Sequence, residues 1–463
     1  MITPHALHFI GIGGVGMSAI AQIIHQRGGK VTGSDQATSP TVARLQALGI
    51  PITVGHDASN LGDTHAIVTS TAVGVDNPEV SEAISRGLKI FHRSEVLAQL
   101  MASHRSVAVC GTHGKTTTTG MMASILVKAG WDPTVLVGGD LPLIGGTARA
   151  GHSPYLVAES DESDKSIVRL SAEWVILTNL EADHLDHYRD FEEILATFEQ
   201  FINSLPEGAT VVACHDDPGV RQLLPRLKAK VLTYGFEAGA DYRIEGASLS
   251  GAGASFAIIR EDGGASYEIR VSGRHNVSNA AASIVVATLM GLAPEEIQPG
   301  LASFTGVGRR FQSHGTAAGV TVVDDYAHHP TEIRATLAAA KLLGSPVWAI
   351  FQPHRYSRTA ALFEEFATCF GDVDGLALMD VYGAGETSNG VTTESLIARM
   401  RELNPQREIF HWASAGDVLE ALPNRVRPGD LVLLMGAGNV NKLAEPLLER
   451  LRMADATRTT APA

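Results

Sequence analysis

The chain has 463 residues, of which 44% are hydrophobic and 19% are charged. This length and balance predict roughly three compact α/β domains of about 100–200 residues each and exclude a largely disordered protein. The formal net charge of −14, from 36 basic and 50 acidic residues, excludes a general electrostatic surface for nucleic acid, so any bound phosphates must be held locally.

Cysteine use and hydropathy predict a soluble cytoplasmic protein. Cys110, Cys214 and Cys369 form no CxxC pair, which argues against a disulfide framework or a zinc knuckle and fits a reducing compartment. The N-terminal apolar stretch carries glycines and no basic lead, so it predicts a strand, a turn and a helix rather than a signal peptide. No run of about 18 uncharged apolar residues is long enough to cross a membrane.

Three segments each open with a short β-branched run, followed by a glycine turn and an amphipathic stretch, a pattern typical of βαβ units with parallel sheets. The openings are LHFIGIGGVG, SVAVCGTHGKTTT and VTVVDDYAHHPTE. We expect domain boundaries near residues 101 and 311, giving segments 1–100, 101–310 and 311–463. The last segment contains three further strand-like runs, and the tail MADATRTTAPA is predicted to lack structure.

The first glycine turn fits the pattern G-x-G-x-x-G. Asp35 ends the next strand-like run, KVTGSD, where it would contact a ribose hydroxyl. The pattern cannot separate NAD from a UDP-sugar, because both present a pyrophosphate to the same turn, and a tight turn without ligand is a further alternative. The glycines of this turn are Gly11, Gly13, Gly14 and Gly16.

The strongest local signal is a phosphate loop between a strand-like and a helix-like run. Its glycines would turn backbone N–H groups toward phosphate oxygens, Lys115 would neutralise the β- and γ-phosphates, and the Thr116 hydroxyl would bind Mg²⁺. Val109 replaces the first glycine of the general pattern, which implies a shorter turn. The alternative is a chance glycine turn with an exposed lysine. The loop comprises Gly111, Thr112, His113, Gly114, Lys115, Thr116 and Thr117.

Two acid-rich stretches follow the loop, YLVAESDESD and VILTNLEADHLD. Each begins as an apolar strand, and acidic residues at its carboxyl end are expected to lie on the side of the phosphate loop. Glu159 is a candidate Mg²⁺ ligand, and His184 could hold a second divalent ion. Solvated acidic turns are the simpler alternative.

Amides and arginines in the next stretch are candidates for nucleotide contacts. His275, Asn276 and Asn279 begin a helix, in a geometry suited to a base edge or phosphate; an Asn-capped helix is the alternative. Arg309 and Arg310 lie in a Gly-rich hinge, from which an arginine could reach the γ-phosphate, or they are a solvated basic pair.

The third segment contributes histidines and arginines in two loops. His328 and His329 are adjacent, so their side chains diverge, and no third ligand stands at a convincing spacing; binding or structural roles are favoured over metal ligation. Arg355 and Arg358 follow His354 and could clamp a carboxylate by bidentate hydrogen bonds.

Nine motifs in order resemble the Mur ligase family across residues 7–445. They are GIGGVGMS, GTHGKTTT, ESDESD, NLEADHLD, GRHNVSNA, GVGRRF, DDYAHHPTE, FQPHRYSR and GAGNV. The resemblance implies three domains: an N-terminal Rossmann-like domain that binds a UDP-linked substrate, a central P-loop ATPase with a mostly parallel sheet, and a C-terminal Rossmann-like domain that brings an amino acid.

Within the family, the motifs are most similar to those of members that attach L-alanine to UDP-N-acetylmuramate. The implied reaction is ATP-dependent ligation with Mg²⁺, or Mn²⁺ in its place. An acyl phosphate forms first, and amine attack then gives a tetrahedral intermediate that releases phosphate. This is the chemistry of peptidoglycan precursor synthesis, and we expect a monomer or homodimer.

The resemblance also assigns roles residue by residue. Lys115, Thr116, Glu159 and His184 resemble the phosphate and magnesium residues of the family. His275, Asn276, Asn279 and Arg310 resemble its adenine and γ-phosphate contacts. The N-terminal glycines, Asp35 and Ser70 match the UDP-substrate positions. Asp325, His328, His354 and Arg358 match positions near the incoming amino acid or the nucleotide ribose.

One departure concerns the second metal. Some relatives use a carbamylated lysine there, but this chain has no lysine between Lys165 and Lys228, and we hypothesise that Glu199 replaces it. Three rival functions are a ligase of the family that recycles a tripeptide, a catalytically silent UDP-sugar and ATP sensor, and an NAD-dependent oxidoreductase. His354 and Tyr356 disfavour the first, the retained Lys115, Glu159 and His184 disfavour the second, and the second glycine loop disfavours the third.

Overall fold

A computed structural model describes residues 6–371 and 373–460, with the side chains of 455–460 left out. Three sheets follow one another along the chain, each covered by helices. The three-domain α/β architecture with mostly parallel sheets is therefore confirmed.

The first sheet has five parallel strands in the order β3-β2-β1-β4-β5. Its buried strand β1 is apolar along its whole length except for one histidine, as expected for a strand covered on both faces. The strands are β1 Leu7–Ile10, β2 Val31–Asp35, β3 Ile52–Val54, β4 Ala66–Thr69 and β5 Lys89–His92, and the α-helices are α1 Val15–Gln26, α2 Pro40–Ala47, α3 Pro78–Ser85 and α4 Arg93–Ala102.

The second sheet has ten strands in the order β15-β14-β13-β12-β11-β10-β6-β9-β7-β8. It is parallel from β13 to β7, and β14, β15 and β8 add antiparallel edges. The strands are β6 Arg105–Cys110, β7 Thr134–Leu141, β8 Gly146–Arg149, β9 Tyr155–Glu159, β10 Trp174–Leu177, β11 Thr210–Cys214, β12 Lys230–Gly235, β13 Tyr242–Ser250, β14 Gly253–Arg260 and β15 Gly263–Ile269. The α-helices are α5 Lys115–Lys128, α6 Phe191–Asn203, α7 Pro218–Leu223, α8 Arg274–Leu289 and α9 Pro294–Ser303.

The third sheet has six strands in the order β16-β17-β21-β18-β19-β20, parallel except for the β16–β17 pair. β18, β19 and β21 are the three further strands predicted for this segment. The strands are β16 Gln312–Ala317, β17 Val320–Asp325, β18 Val347–Phe351, β19 Gly375–Leu378, β20 Phe410–His411 and β21 Leu431–Met435, and the α-helices are α10 Pro330–Lys341, α11 Tyr356–Ala361, α12 Phe363–Thr368, α13 Thr393–Leu403, α14 Ala415–Ala421 and α15 Ala444–Thr460.

The C-terminal tail differs from its prediction. Helix α15 continues to Thr460, so residues 453–460 are helical rather than without structure. The reason is local: Met, Ala and Arg are good helix formers, and the chain contains no Gly or Pro from Arg450 until Pro462. Residues 461–463 lie outside the described part.

Two further predictions concern cysteines and membranes. Cys110, Cys214 and Cys369 are all buried and free, which confirms that they form no disulfide. Among the described residues, no helix combines the length and the apolar character needed to span a bilayer.

Candidate active site

The phosphate loop joins β6 to α5. Gly111 and Gly114 take left-handed backbone conformations, with φ of +123° and +81°, and a Cβ atom at Gly111 would lie 2.3 Å from Thr178 Oγ1. Glycine is therefore required there. Helix α5 begins at Lys115, and no described side chain caps it, so the N–H groups of its first turn are available to an anion.

Asn179, directly beyond β10, fixes the shape of the loop. Its Oδ1 accepts from His113 N at 2.8 Å, and its Nδ2 donates to His113 O at 3.0 Å. Its own carbonyl accepts from Thr112 N at 2.9 Å. The sequence motif NLEADHLD contains Asn179, but the analysis of the sequence assigned it no role.

Lys115 is held beside the loop by three acceptors. Its Nζ donates to Gly111 O at 2.6 Å, to Thr112 O at 3.0 Å and to Glu162 Oε1 at 2.8 Å. Burial disfavours the charged amine, but Glu162 outweighs burial and raises the pKa of Lys115 above its usual value. The lysine therefore stays charged, and Glu162 is a second residue of the site that the sequence analysis did not single out.

Oxygen ligands suited to a divalent cation lie next to this lysine. Thr116 Oγ1 donates to Glu159 Oε1 at 3.0 Å, and Gly138 N donates to Glu159 Oε2 at 2.7 Å. Burial raises the pKa of Glu159, so this carboxylate lacks sufficient positive charge around it. The Thr116 hydroxyl and this incompletely neutralised Glu159 carboxylate are suitable ligands for a hard cation such as Mg²⁺.

His184 completes this group through Glu162. Its Nε2 lies 3.6 Å from Glu162 Oε1 and 3.8 Å from Asp183 Oδ2. Burial opposes its charged form, but the two carboxylates prevail and raise the pKa of His184. The structure thus gathers Lys115, Thr116, Glu159 and His184, which were predicted as one set.

Glu199 does not belong to this set. It lies on α6, where it acts electrostatically on Arg226, and it is not among the residues that line the cleft around the loop. The structure gives no support to the hypothesis that Glu199 replaces a carbamylated lysine, which stays a prediction.

The start of α8 lies against the phosphate loop. Asn279 Oδ1 is 2.7 Å from the position of a Cβ atom at Gly114, so this amide touches the loop. Asn276 Nδ2 donates to Ser272 O at 2.7 Å. The N-cap of α8 is Gly273, and no described side chain caps this helix, so the alternative of an Asn-capped helix is wrong. His275 is close enough to Arg310 and Glu332 for their charges to act on its ring.

The two hinge arginines have different surroundings. Arg309 has a left-handed φ of +61° and donates to Gly436 O at 2.7 Å, so it ties the hinge to the C-terminal domain. Arg310 Nη1 lies 3.3 Å from Glu332 Oε1 and lines the cleft near Glu159. Both arginines line the cleft, and Arg310 is the one whose charge acts on Glu159.

The N-terminal glycine turn is held by the predicted aspartate. Gly13 N donates to Asp35 Oδ2 at 2.8 Å, and Gly11 has a φ of +73°. Ser70 directly follows β4 and begins a turn whose Val73 Cγ2 lies 3.6 Å from the position of a Cβ atom at Gly11. These predicted substrate positions therefore meet at one edge of the first sheet, together with Gly14 and Gly16.

Arg93 connects that turn to the central domain. Its Nη1 lies 3.1 Å from the position of a Cβ atom at Gly16, and its Nη2 donates to Asp161 Oδ2 at 2.7 Å and Asp164 Oδ2 at 3.1 Å. Arg93 is not predictable from the sequence, because the helix-like stretch next to it carries no motif.

In the C-terminal domain, Arg358 points into the central domain. Its Nη2 lies 3.1 Å from Asp183 Oδ1, and the pair borders a small pocket of about 180 Å³ that also contacts His184. The rings of His328 and His354 lie 6.1 Å apart, and burial lowers the pKa of His328 to about 3 and that of His354 to about 4. The residues predicted to bind the amino acid thus lie together as two neutral histidines and one cationic arginine.

Asp325 lies at the hinge, where its carboxylate binds backbone N–H groups. It is 6% exposed, and its carboxylate accepts from Phe311 N and Ala327 N at 2.8 and 2.7 Å. Burial raises the pKa of Asp325 to about 6. The structure does not bring this side chain into the cleft, because it is used to shape the hinge; a nucleotide contact stays a prediction.

One cleft of about 1070 Å³ connects these groups. It is bordered by Gly16 of the N-terminal glycine turn, the phosphate loop, the acid-rich loops after β9 and β10, the hinge and the loop before α10. Apart from the hinge, which follows α9, these borders lie beyond the carboxyl ends of strands, where open α/β sheets bind ligands.

Comparison with protein families matches all three segments of the chain. Residues 109–287 match the Mur ligase middle domain, residues 6–105 match the Mur ligase family catalytic domain, and residues 309–438 match the glutamate ligase domain of Mur ligases. The chain is also 45% identical to the UDP-N-acetylmuramate–L-alanine ligase of Syntrophus aciditrophicus, over 98% of this chain and 95% of that one. The chain belongs to the Mur ligase family.

Other relatives also align with this Mur ligase over almost its whole length. The ligase of the same name from Geotalea daltonii is 47% identical over 97% of this chain and 98% of its own. The crystal structure of UDP-N-acetylmuramate–alanine ligase from Thermotoga maritima aligns with a TM-score of 0.82 and 29% identity, over 97% of this chain and 100% of that one. A murein peptide ligase from Psychrobacter arcticus aligns with a TM-score of 0.72 and 25% identity, over 97% and 99%.

Proposed function

We propose that this Mur ligase joins L-alanine to the carboxylate of UDP-N-acetylmuramate, using ATP and releasing ADP and phosphate. The observation that carries the proposal is the cleft in which Gly16 of the N-terminal glycine turn, the phosphate loop and His328 meet, with the Arg358 pocket next to it at Asp183 and His184. The ligases named for this reaction in Syntrophus and Geotalea, which match along almost their whole length, support the choice of substrates.

Each domain would bring one reactant. In this proposal residues 1–100 bind the UDP portion through the glycine turn, Asp35 and Ser70. Residues 101–310 bind ATP, and residues 311–463 bring the amino acid. A cytoplasmic monomer or homodimer is sufficient for such a reaction, because all three binding groups lie in one chain.

Phosphate binding depends on groups already in position. The uncapped start of α5 and the charged Lys115 bind the β- and γ-phosphates, and Arg310 approaches the γ-phosphate from the hinge side. Asn279 and His275 border the nucleotide from α8. Thr116, Glu159 and His184 would hold Mg²⁺, which supplies charge neutralisation for the transferred phosphoryl group when it is bound.

A carboxylate is a poor electrophile, so the substrate acid must first be activated. Transfer of the γ-phosphoryl group to the carboxylate of the sugar converts one carboxylate oxygen into a leaving group. The alanine amine then attacks the acyl carbon, and the tetrahedral intermediate expels phosphate. Lys115 and Arg310 stabilise the negative charge that develops during both steps.

The amino-acid group explains how alanine would be oriented. Arg358 can pair with the alanine carboxylate once Asp183 releases it, since a guanidinium binds a carboxylate in bidentate fashion. Burial keeps His328 and His354 neutral, so they do not repel the incoming ammonium group. The pocket beside Arg358, about 180 Å³, is where the alanine would lie in this proposal.

Phosphate release measured with ATP, Mg²⁺ and UDP-N-acetylmuramate tests the proposal. We expect strong turnover with L-alanine and little with glycine, L-serine or the tripeptide L-alanyl-γ-D-glutamyl-meso-diaminopimelate. Faster release with the tripeptide would identify a recycling ligase instead. Release that does not require the sugar nucleotide would overturn the assignment altogether.

A further inference from the structure

Two histidines and a glutamate meet where the phosphate loop touches the C-terminal domain. His113 belongs to the loop, Glu181 follows β10, and His329 is the N-cap of α10. Glu181 Oε2 lies 3.6 Å from His113 Nε2 and 3.5 Å from His329 Nδ1, and the two rings are 4.7 Å apart. We propose that these three residues bind a transition-metal ion of the Zn²⁺ type, at a site separate from the Mg²⁺ group.

Two of the three spacings between the ligand atoms are those of a tetrahedral site. Histidine nitrogen and carboxylate oxygen bind Zn²⁺ at about 2.0–2.2 Å, so two ligands at the tetrahedral angle lie about 3.4 Å apart. The two distances to Glu181 Oε2 are within 0.2 Å of that value. One ligand atom from each of the three residues lies within 4.8 Å of the other two, so small side-chain movements would close the site.

The histidines carry ring nitrogens without partners. His113 Nε2 and His329 Nε2 are buried, and neither makes a hydrogen bond to any described residue. His329 is 4% exposed, so water does not satisfy it freely. Its Nδ1 accepts only a long bond of 3.3 Å from Thr331 N. Buried unpaired polar atoms are unfavourable, and a cation bound at His113 Nε2 would remove that penalty for this nitrogen.

Neighbouring groups are placed to orient the ligands. Glu332 Oε1 lies 3.3 Å from His113 Nδ1, which leaves Nε2 as the metal-binding nitrogen in the carboxylate–histidine–metal arrangement that is common around zinc. Thr331 Oγ1 donates to Glu181 Oε2 at 2.7 Å, which fixes the carboxylate while leaving a second lone pair for the ion.

The ligand set selects against Mg²⁺. Two imidazoles and one carboxylate favour Zn²⁺, Co²⁺ or Ni²⁺, whereas Mg²⁺ prefers an all-oxygen octahedron. Two ligands come from the central domain and one from the C-terminal domain. A bound ion would therefore link the two domains in the closed arrangement and slow their separation.

Titration of the full-length protein with Co²⁺ in excess Mg²⁺ and without nucleotide tests this site. Mg²⁺ occupies the oxygen-rich group around Glu159, and a tetrahedral Co²⁺ site is recognised by its strong visible absorption. We expect one such site in the wild type. His329→Ala and Glu181→Gln should each weaken Co²⁺ binding by roughly tenfold or more. Because binding is read without turnover, the outcome is independent of the proposed reaction.

His152→Ala is the matched control, because His152 has a 95% exposed side chain and should leave Co²⁺ binding unchanged. Glu181→Gln keeps the shape of the side chain, so it tests the site even if His329→Ala fails to fold. Absorption that is equal in wild type and Glu181→Gln, or no tetrahedral absorption in the wild type at millimolar Co²⁺, would overturn the proposal.

Discussion

At the scale of single residues, the ion pair of Lys115 and Glu162 keeps the phosphate loop ready for an anion. The Glu162 side chain is 3% exposed, so the pair is protected from solvent and salt screening. An arriving phosphate competes with Glu162 for the lysine. The same carboxylate lies next to His184, so displacement of Lys115 would leave Glu162 free to act with that histidine.

Lys115→Ala should abolish turnover, with a loss of at least about 10²–10³-fold, because the phosphates lose their charged donor. Binding of UDP-N-acetylmuramate, measured by calorimetry, should remain nearly unchanged, because the glycine turn of the N-terminal domain holds it. Lys128→Ala, at the exposed end of the same helix, is the control and should keep full activity. Loss of both turnover and UDP-N-acetylmuramate binding in Lys115→Ala would contradict separate nucleotide sites.

At the scale of elements, the phosphate-loop helix is fixed by the helix that packs on it. A Cβ atom at Gly300 of α9 would lie 2.3 Å from Ile125 Cα of α5, so the two backbones are in direct contact. Burial of α5 along most of its length then sets where its first turn presents N–H groups. Helix packing in the core thus positions the phosphate site.

Gly300→Ala should lower the free energy of unfolding by about 1–3 kcal/mol, because the added methyl group forces α9 away from α5. Urea denaturation measures the change. Gly416→Ala is the matched control: Gly416 is exposed in α14, and its Cβ atom would meet only Ser414 Oγ at 3.5 Å, so we expect no loss and up to about 1 kcal/mol of gain. An unchanged stability of Gly300→Ala would show that the helices can separate freely.

A buried carboxylate joins β1, β2 and α3 in the N-terminal domain. Glu79 Oε2 accepts from Ser34 Oγ at 2.6 Å and lies 3.2 Å from His8 Nε2, while Oε1 accepts from Asn60 Nδ2 at 2.6 Å. Burial would raise its pKa, but these partners prevail and lower the pKa of Glu79 to about 2. The carboxylate therefore stays charged in the fold at neutral pH.

Because the pKa of Glu79 is depressed in the folded state, its contribution is fully present above the unfolded pKa of about 4.3 and is lost as the pH falls toward 2. We expect the thermal unfolding midpoint to drop steeply over this window. In Glu79→Gln the midpoint should be lower at neutral pH and should depend less on pH below 4.3. Parallel acid profiles for the two proteins would argue against this role.

At the scale of the whole molecule, the two domain contacts differ in kind. One buried apolar cluster runs from the N-terminal sheet into the central sheet, through residues such as Ile20, Leu97 and Leu136. The C-terminal domain has its own clusters and meets the central domain through polar pairs, including Arg358–Asp183 and Thr331–Glu181. We therefore infer that the C-terminal domain is the one that opens.

Asp183→Asn should shift the molecule toward an open form. Arg358 is 10% exposed at its side chain, and removal of the partner of a buried charge is unfavourable by about 3–5 kcal/mol. Small-angle scattering should report a larger radius of gyration. Asp186→Asn is the control, because its partner Arg355 is 36% exposed and such pairs contribute little. Equal radii for Asp183→Asn and the wild type would contradict closure by this pair.

The sequence by itself determined the order of three α/β units, the two glycine turns and the grouping of Lys115, Thr116, Glu159 and His184. These features follow from local patterns, because a glycine turn between a strand and a helix is encoded by adjacent residues and strand ends collect at one edge of a sheet. The family motifs also indicated the identity of the substrates, which no local pattern specifies. The family assignment is confirmed by comparison, whereas the roles of individual residues stay proposals.

Tertiary structure alone decided which partner each charged group takes. These contacts join residues that are distant in the chain. They are Glu162 with Lys115, Asp183 with Arg358, Asn179 with the phosphate loop, and the His113–Glu181–His329 group. It also removed Asp325 and Glu199 from the cleft, since side-chain direction depends on how a strand or helix is packed. Pairing between distant residues is set by the global arrangement of elements, and local sequence carries no direct record of that arrangement.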